Sequence, residues 1–241
     1  MTETMEKTVR EIAVECPESV RVFETLGIDY CCGGKKSLRD ACTSASVPLE
    51  RVVELLQKAS LAAASADSAA WNSAPMDAVS AHVVQKHHGY VRQEIPRLEM
   101  LLSKVISKHG DTHPELSEIQ QQFSIISQEL STHMLKEEQV LFPYIERMAA
   151  AFLRHDPLPP ALFGTVTRPI ANMVADHDDA GLVLAKLRQL SNGYRAPAGA
   201  CPTYHALYHG LEDFEKDLHQ HIHLENNILF PRAIEMQRSQ Q

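Results

Sequence analysis

The 241-residue sequence has no block of basic residues, no apolar run long enough to span a bilayer, and a single tryptophan, Trp71. Each absence excludes something. A formal charge of −8, spread without a basic cluster, argues against nucleic acid or an anionic membrane as the main partner. Residues 1–12 alternate charges with single apolar residues and lack the apolar centre of a secretory signal, so a cytoplasmic location is expected. Cysteine is scarce and odd in number, five in all, with Cys31 and Cys32 adjacent. That is no disulfide framework, and it suits thiols held reduced. Cys16, Cys42 and Cys201 carry no motif and are read as structural.

What is present is core and histidine. An apolar content of 44% suffices for a sizeable core, as one large or two small domains. Thirteen histidines are well above ordinary usage and need a reason.

The reason lies in a repeat. His133-x-x-x-Glu137 followed by Leu141-Phe142-Pro143 recurs 88 residues later as His221-x-x-x-Glu225 followed by Leu229-Phe230-Pro231. A spacing of four is just over one helical turn, so each His and Glu share one helix face and can grip one metal centre. The repeat extends upstream: His88 precedes His133 by 45 residues and His177 precedes His221 by 44.

Residues 59–75 are small and polar, with too few large apolar groups for a core, and read as a linker. They divide a small helical Cys-Cys domain, 1–58, from a second domain, 76–241. In the first, helical spacing over 8–26 and 37–59 is interrupted by the turn at 29–34. In the second, four long helices are expected at roughly 76–108, 114–152, 159–191 and 202–237. Their short connections predict an all-α, up-down-up-down bundle, with a kink at Pro96.

Bundle helices point a and d positions inward, which tests each candidate ligand against its own helix. The first register reads Val84, His88, Val91, Ile95, Leu98, Leu102, Val105. The second reads Leu116, Ile119, Phe123, Ile126, Leu130, His133, Glu137, Val140, Tyr144. The third runs Ile170, Met173, His177, Ala180, Leu184, Leu187, and the fourth Leu207, Leu211, Phe214, Leu218, His221, Glu225, Ile228. Every ionisable interruption is His or Glu. Burying four imidazoles and two carboxylates is costly unless a metal pair neutralises the charge and accepts the lone pairs. The other nine histidines, His87, His219 and His223 among them, fall off these registers and are read as surface residues or as outer support for the ligands.

Mixed nitrogen and oxygen donors suit iron or manganese better than structural zinc, and iron best. With both glutamates bridging, each iron receives two His nitrogens and two carboxylate oxygens. An oxo or hydroxo bridge makes five ligands and leaves one position open. Glu129, one turn before His133, and Asp176, beside His177, are candidates to orient an imidazole or line an iron exit. Cys31 and Cys32 are poor partners for each other, because their disulfide closes a strained ring. They are read as candidate reactive thiols or cluster ligands, or as two small buried residues in a tight Gly-Gly turn, with Lys35 and Lys36 placed to favour the thiolate.

The His-rich set resembles the hemerythrin-like fold, in which a four-helix bundle holds two irons; the resemblance covers about residues 76–237. It departs at Gly181, where oxygen carriers of that type have a further His. Asp29-Tyr30-Cys31-Cys32-Gly33-Gly34-Lys35 ahead of such a bundle resembles the Repair of Iron Centres family, di-iron proteins linked to restoring iron-sulfur clusters damaged by nitric oxide or peroxide. Thr132-His133-Met134-Leu135-Lys136-Glu137-Glu138-Gln139 and Leu224-Glu225-Asn226-Asn227-Ile228-Leu229-Phe230-Pro231 carry the same resemblance. It implies His88, His133, Glu137, His177, His221 and Glu225 as iron ligands, and damaged iron-sulfur proteins as partners. The expected function is non-enzymatic repair by iron donation, with the Cys-Cys domain contacting the acceptor. The alternative is a nitric-oxide-binding or nitric-oxide-reducing protein using the same six ligands; oxygen storage is disfavoured by Gly181. Oligomeric state, a homodimer included, is left open.

Overall fold

A computed structural model describes residues 6–16, 18–31, 33–63 and 70–240, and among these the regular structure is helical. None of the described helices is long and apolar enough to cross a membrane. The chain forms two compact units, one of Met1–Val79 with His219–Gln241, the other of Ser80–Leu218.

In the first unit, each expected N-terminal helix is split in two. Helix Val9–Glu15 opens on a reciprocal cap: the Thr8 hydroxyl accepts the Glu11 N–H at 3.2 Å, and the Glu11 carboxylate accepts the Thr8 N–H at 2.7 Å. Helix Ser19–Leu26 ends at Gly27, whose φ of 66° closes the last turn in a conformation that favours glycine. Leu38–Ser44 and Leu49–Ala63 are separated by a turn containing Ser46 at φ 55°, just ahead of Pro48. Val9, Ile12, Phe23, Tyr30, Leu38 and Val52 are buried. A module of this size supplies little core by itself. The end of the chain extends it: Leu224–Leu229 packs against Val9–Glu15 and Ala70–Ser73, and Ile228, Leu229, Phe230 and Ala233 are buried. Of the expected linker, residues 64–69 lie outside the described residues.

The second unit is a bundle of four helical segments. The third segment begins at Thr167, later than expected, because 157–160 holds three prolines and the chain stays irregular up to the helix. Leu98, Leu102, Leu116, Ile119, Phe123, Leu184, Leu187, Leu207 and Phe214 fill the interior, with Phe123 meeting Phe214 edge to face at 5.5 Å. Each such side chain contributes roughly 1.5–3 kcal/mol on burial. Gly210 marks a close approach of helices, since a Cβ there would lie 2.7 Å from Leu98 and from the Arg97 guanidinium.

Among the described residues three helical rods carry a wide π turn: Val83–His88, Glu137–Leu141 and Leu224–Leu229. The repeated Leu-Phe-Pro explains the last two. Pro143 and Pro231 stand at the start of the following α segment and donate no N–H, so an α-helical bond is missing where the chain widens. A π turn inserts one residue into the register. Val140, expected inside, is therefore 51% exposed, and Leu141 takes the buried place.

Candidate metal centre

The π turns fall on the candidate ligands. In the bundle unit His88 ends the first and Glu137 opens the second, while His133 and His177 come from regular helix. All four are buried. The Glu137 carboxylate lies 3.4 Å from His88 Nε2 and 3.3 Å from His133 Nε2, and the Nε2 atoms of His133 and His177 are 3.0 Å apart. His133, Glu137 and His177 each present a ligand atom within 4.8 Å of the others. Nitrogen lone pairs and a carboxylate converging in an apolar interior form a donor set that a cation stabilises.

Outer carboxylates set which nitrogen faces inward. Glu138 Oε1 lies 2.6 Å from His88 Nδ1 and also accepts Arg92 at 2.6 Å. Asp176 Oδ2 lies 3.2 Å from His133 Nδ1, with Lys136 at 3.4 Å. An Nδ1–H donated to a carboxylate leaves Nε2 as the lone-pair nitrogen, the tautomer a metal requires. Burial works against the Glu138 carboxylate, but hydrogen bonds from His88 and Arg92 outweigh it and hold the carboxyl below its ordinary range. Asp176 thus serves His133, across 43 residues, and not its sequence neighbour His177. Glu129 and Asp176 both line a cavity of about 320 Å³, together with Lys136 and Asp179.

In the other unit, His221 Nε2 and Glu225 Oε1 are 3.0 Å apart and both residues are buried. The same helix end holds the cysteine turn. Asn227 donates its side-chain amide to the Tyr30 carbonyl at 3.1 Å and meets His223 Nδ1 at 2.8 Å. The Tyr30 hydroxyl donates to Glu24 at 2.9 Å, and Gln220 donates to the same carboxylate oxygen at 3.2 Å.

The turn itself is built round Asp29, whose carboxylate accepts the N–H of Cys31 at 3.0 Å and of Gly33 at 2.8 Å. A Cβ on Gly33 would meet that carboxylate at 2.9 Å, and one on Gly34 would meet the Tyr30 carbonyl at 2.6 Å, which accounts for both glycines. Cys31 is 5% exposed, its thiol 3.4 Å from Asp29 Oδ1. Lys35 and Lys36 are exposed. Cys32 lies outside the described residues.

Two histidines expected off the registers are buried. His87 bonds Asp217 at 3.0 Å through Nδ1, and His223 packs edge-on to the Tyr30 ring at 5.5 Å. Burial pushes His223 down to about 4, with Arg10 adding to the effect, so it is neutral near pH 7. The extra residue of the first π turn brings His87 inward beside His88, which a strict helical period cannot find, whereas His223 lies in regular helix ahead of its π turn and is covered by Tyr30, a contact no period shows. Glu138, inside the second π turn, also falls off the expected register.

Known proteins provide the comparison. The hemerythrin HHE cation-binding domain matches residues 79–233, and a domain described as of unknown function, DUF542, matches 5–60. An iron-sulfur cluster repair protein YtfE from Pectobacterium atrosepticum is 35% identical over 229 residues, covering 95% of this chain and 97% of the relative. Proteins of the same name from Musicola paradisiaca and Citrobacter koseri are 35% and 32% identical, over 95% and 93% of this chain and 96% and 94% of the relatives.

Proposed function

This chain belongs to the family of hemerythrin-domain iron-sulfur cluster repair proteins, and from that premise we propose that it repairs clusters by donating iron held on six side chains. The ligands are His88, His133, Glu137, His177, His221 and Glu225. They hold two irons joined by an oxo or hydroxo bridge, with each glutamate serving both ions. Bound iron is the cargo, the ions a cluster stripped of metal needs. The acceptors are damaged iron-sulfur proteins of the cytoplasm, met by the Cys31-Cys32 turn.

One observation supports this reading above the rest: His133, Glu137 and His177 converge in an apolar interior, while Asp176 aims the His133 nitrogen inward. Glu138 does the same for His88. The sequence repeat argues that His221 and Glu225 play the part of His133 and Glu137, and the matched domain spans both pairs. Side chains orient the imidazoles, exclude water and supply the two negative charges; the metals supply the rest of the balance.

The test mixes iron-loaded protein anaerobically with a cluster enzyme inactivated by nitric oxide, without added iron. Return of enzyme activity with matching loss of iron from this protein is the expected result. Consumption of nitric oxide without recovery of the enzyme overturns donation in favour of nitric-oxide chemistry.

A further inference from the structure

Cys201 immediately precedes the 22-residue helix Pro202–His223, so its side chain sits where unpaired backbone N–H groups point outward. Its Sγ lies 3.3 Å from Nε2 of His109, a residue 92 positions earlier at the end of the first bundle helix. Both side chains are half-buried, so the sulfur is reachable. The His109 ring is held from two sides, edge-on to Tyr204 at 5.5 Å and against His113 at 6.4 Å. In the sequence Cys201 carries no motif, and His109, its partner in the fold, lies 92 positions earlier.

We propose that Cys201 and His109 form a hydrogen-bonded thiol–imidazole pair, a reactive site that takes low-molecular-weight disulfides by thiol–disulfide exchange. The charges facing the sulfur agree. The backbone N–H of Tyr204 pulls the Cys201 thiol below its ordinary range; desolvation opposes it, and Thr203, through its backbone N–H and its side chain, and Lys108 add to the pull. At the start of the second bundle helix, His113, just ahead of it, and Glu115 bond each other at 3.0 Å, which confines that carboxylate. Cys16 and Cys42 are pushed the other way, by burial. In the exchange the Cys201 sulfur attacks one sulfur of the disulfide and a new S–S bond forms as the old one breaks. The Cys201 proton passes to His109 Nε2 as the sulfur attacks, and from there to the departing thiolate. Electrons balance without an outside oxidant, and a low-molecular-weight thiol reverses the step.

The experiment uses the full-length protein with iodoacetamide and with oxidised glutathione as probes, reading each cysteine by peptide mass spectrometry. Cys201 is expected to alkylate fastest at pH 7 and to carry the mixed disulfide, which dithiothreitol removes. His109→Gln keeps a hydrogen-bonding side chain without the basic ring nitrogen. It is expected to slow alkylation of Cys201 about tenfold at pH 7 and move its pH profile upward, while leaving the rates of Cys16 and Cys42 unchanged. A Cys201 that follows the profile of an ordinary thiol in the unsubstituted protein overturns the pair, as does a profile that His109→Gln leaves in place. Should that variant not fold, the unsubstituted profile against Cys201→Ser decides alone, since loss of the fastest-labelling peptide in Cys201→Ser assigns the reactive sulfur.

Discussion

The Nε2 atoms of His133 and His177 face each other at 3.0 Å across the bundle interior, 44 residues apart in sequence. Two imidazole nitrogens that close share one proton or one cation. With Asp176 accepting from Nδ1 of His133, that Nε2 keeps its lone pair, and the Glu137 carboxylate lies 3.3 Å from it.

Purified and iron-reconstituted protein is expected to bind about two irons per chain, with an absorption band from an oxo-bridged ferric pair. Glu137→Ala and Glu225→Ala are each expected to lose more than one iron, since a bridging carboxylate serves both ions. Metal analysis showing the loss of a single iron in either variant makes the glutamates terminal ligands.

Glu138→Gln and Asp176→Asn touch no metal in the proposed site, yet each removes the carboxylate that fixes an imidazole tautomer. Iron affinity is expected to fall about 10–100-fold in each. Competition with a chelator measures it, and an unchanged constant in both variants shows the outer carboxylates do not orient the ligands.

His177→Ala is expected to lower bound iron. His87→Ala is expected to leave the iron count intact and to cost about 1–3 kcal/mol of stability, because Asp217 loses the imidazole it meets at 3.0 Å. Metal analysis and denaturant unfolding separate the two effects; equal iron loss in both variants contradicts the assignment of His87 as a non-ligand.

The double variant Cys31→Ser, Cys32→Ser is expected to keep its iron and repair a damaged cluster more slowly. Asn227→Ala is expected to raise the alkylation rate of Cys31, since the Asn227 amide holds the Tyr30 carbonyl next to that thiol. Point variants test this turn more cleanly than deletion of residues 1–75. Val9–Glu15 packs against Leu224–Leu229, so deletion also uncovers the helix end that bears Glu225.

Iron is expected to raise the thermal midpoint, by the linkage that stabilises any state which alone binds the ligand. Calorimetry of apo and loaded protein measures it, and equal midpoints contradict a buried metal site.

Four long helices, their apolar faces and the six candidate ligands are all legible in the sequence, because helical periodicity is local and the repeated His-x-x-x-Glu cassette marks one helix face twice. In the third helix the agreement is complete, from Ile170 through His177 to Leu187, since that helix is regular throughout. At the π turn before Pro143 the same arithmetic fails by one residue, so that Val140 turns outward and Leu141 inward; at the π turn of the first helix His87 joins His88 inside, whereas Ile228, ahead of Pro231, keeps its expected place. Only tertiary structure decided which partners those residues meet. Asp176 serves His133 and not His177, Asn227 holds the turn at Tyr30, and His109 reaches Cys201. These contacts join residues 43 to 197 positions apart, and side chains so distant in the chain meet only once packing of the helices has set their distance.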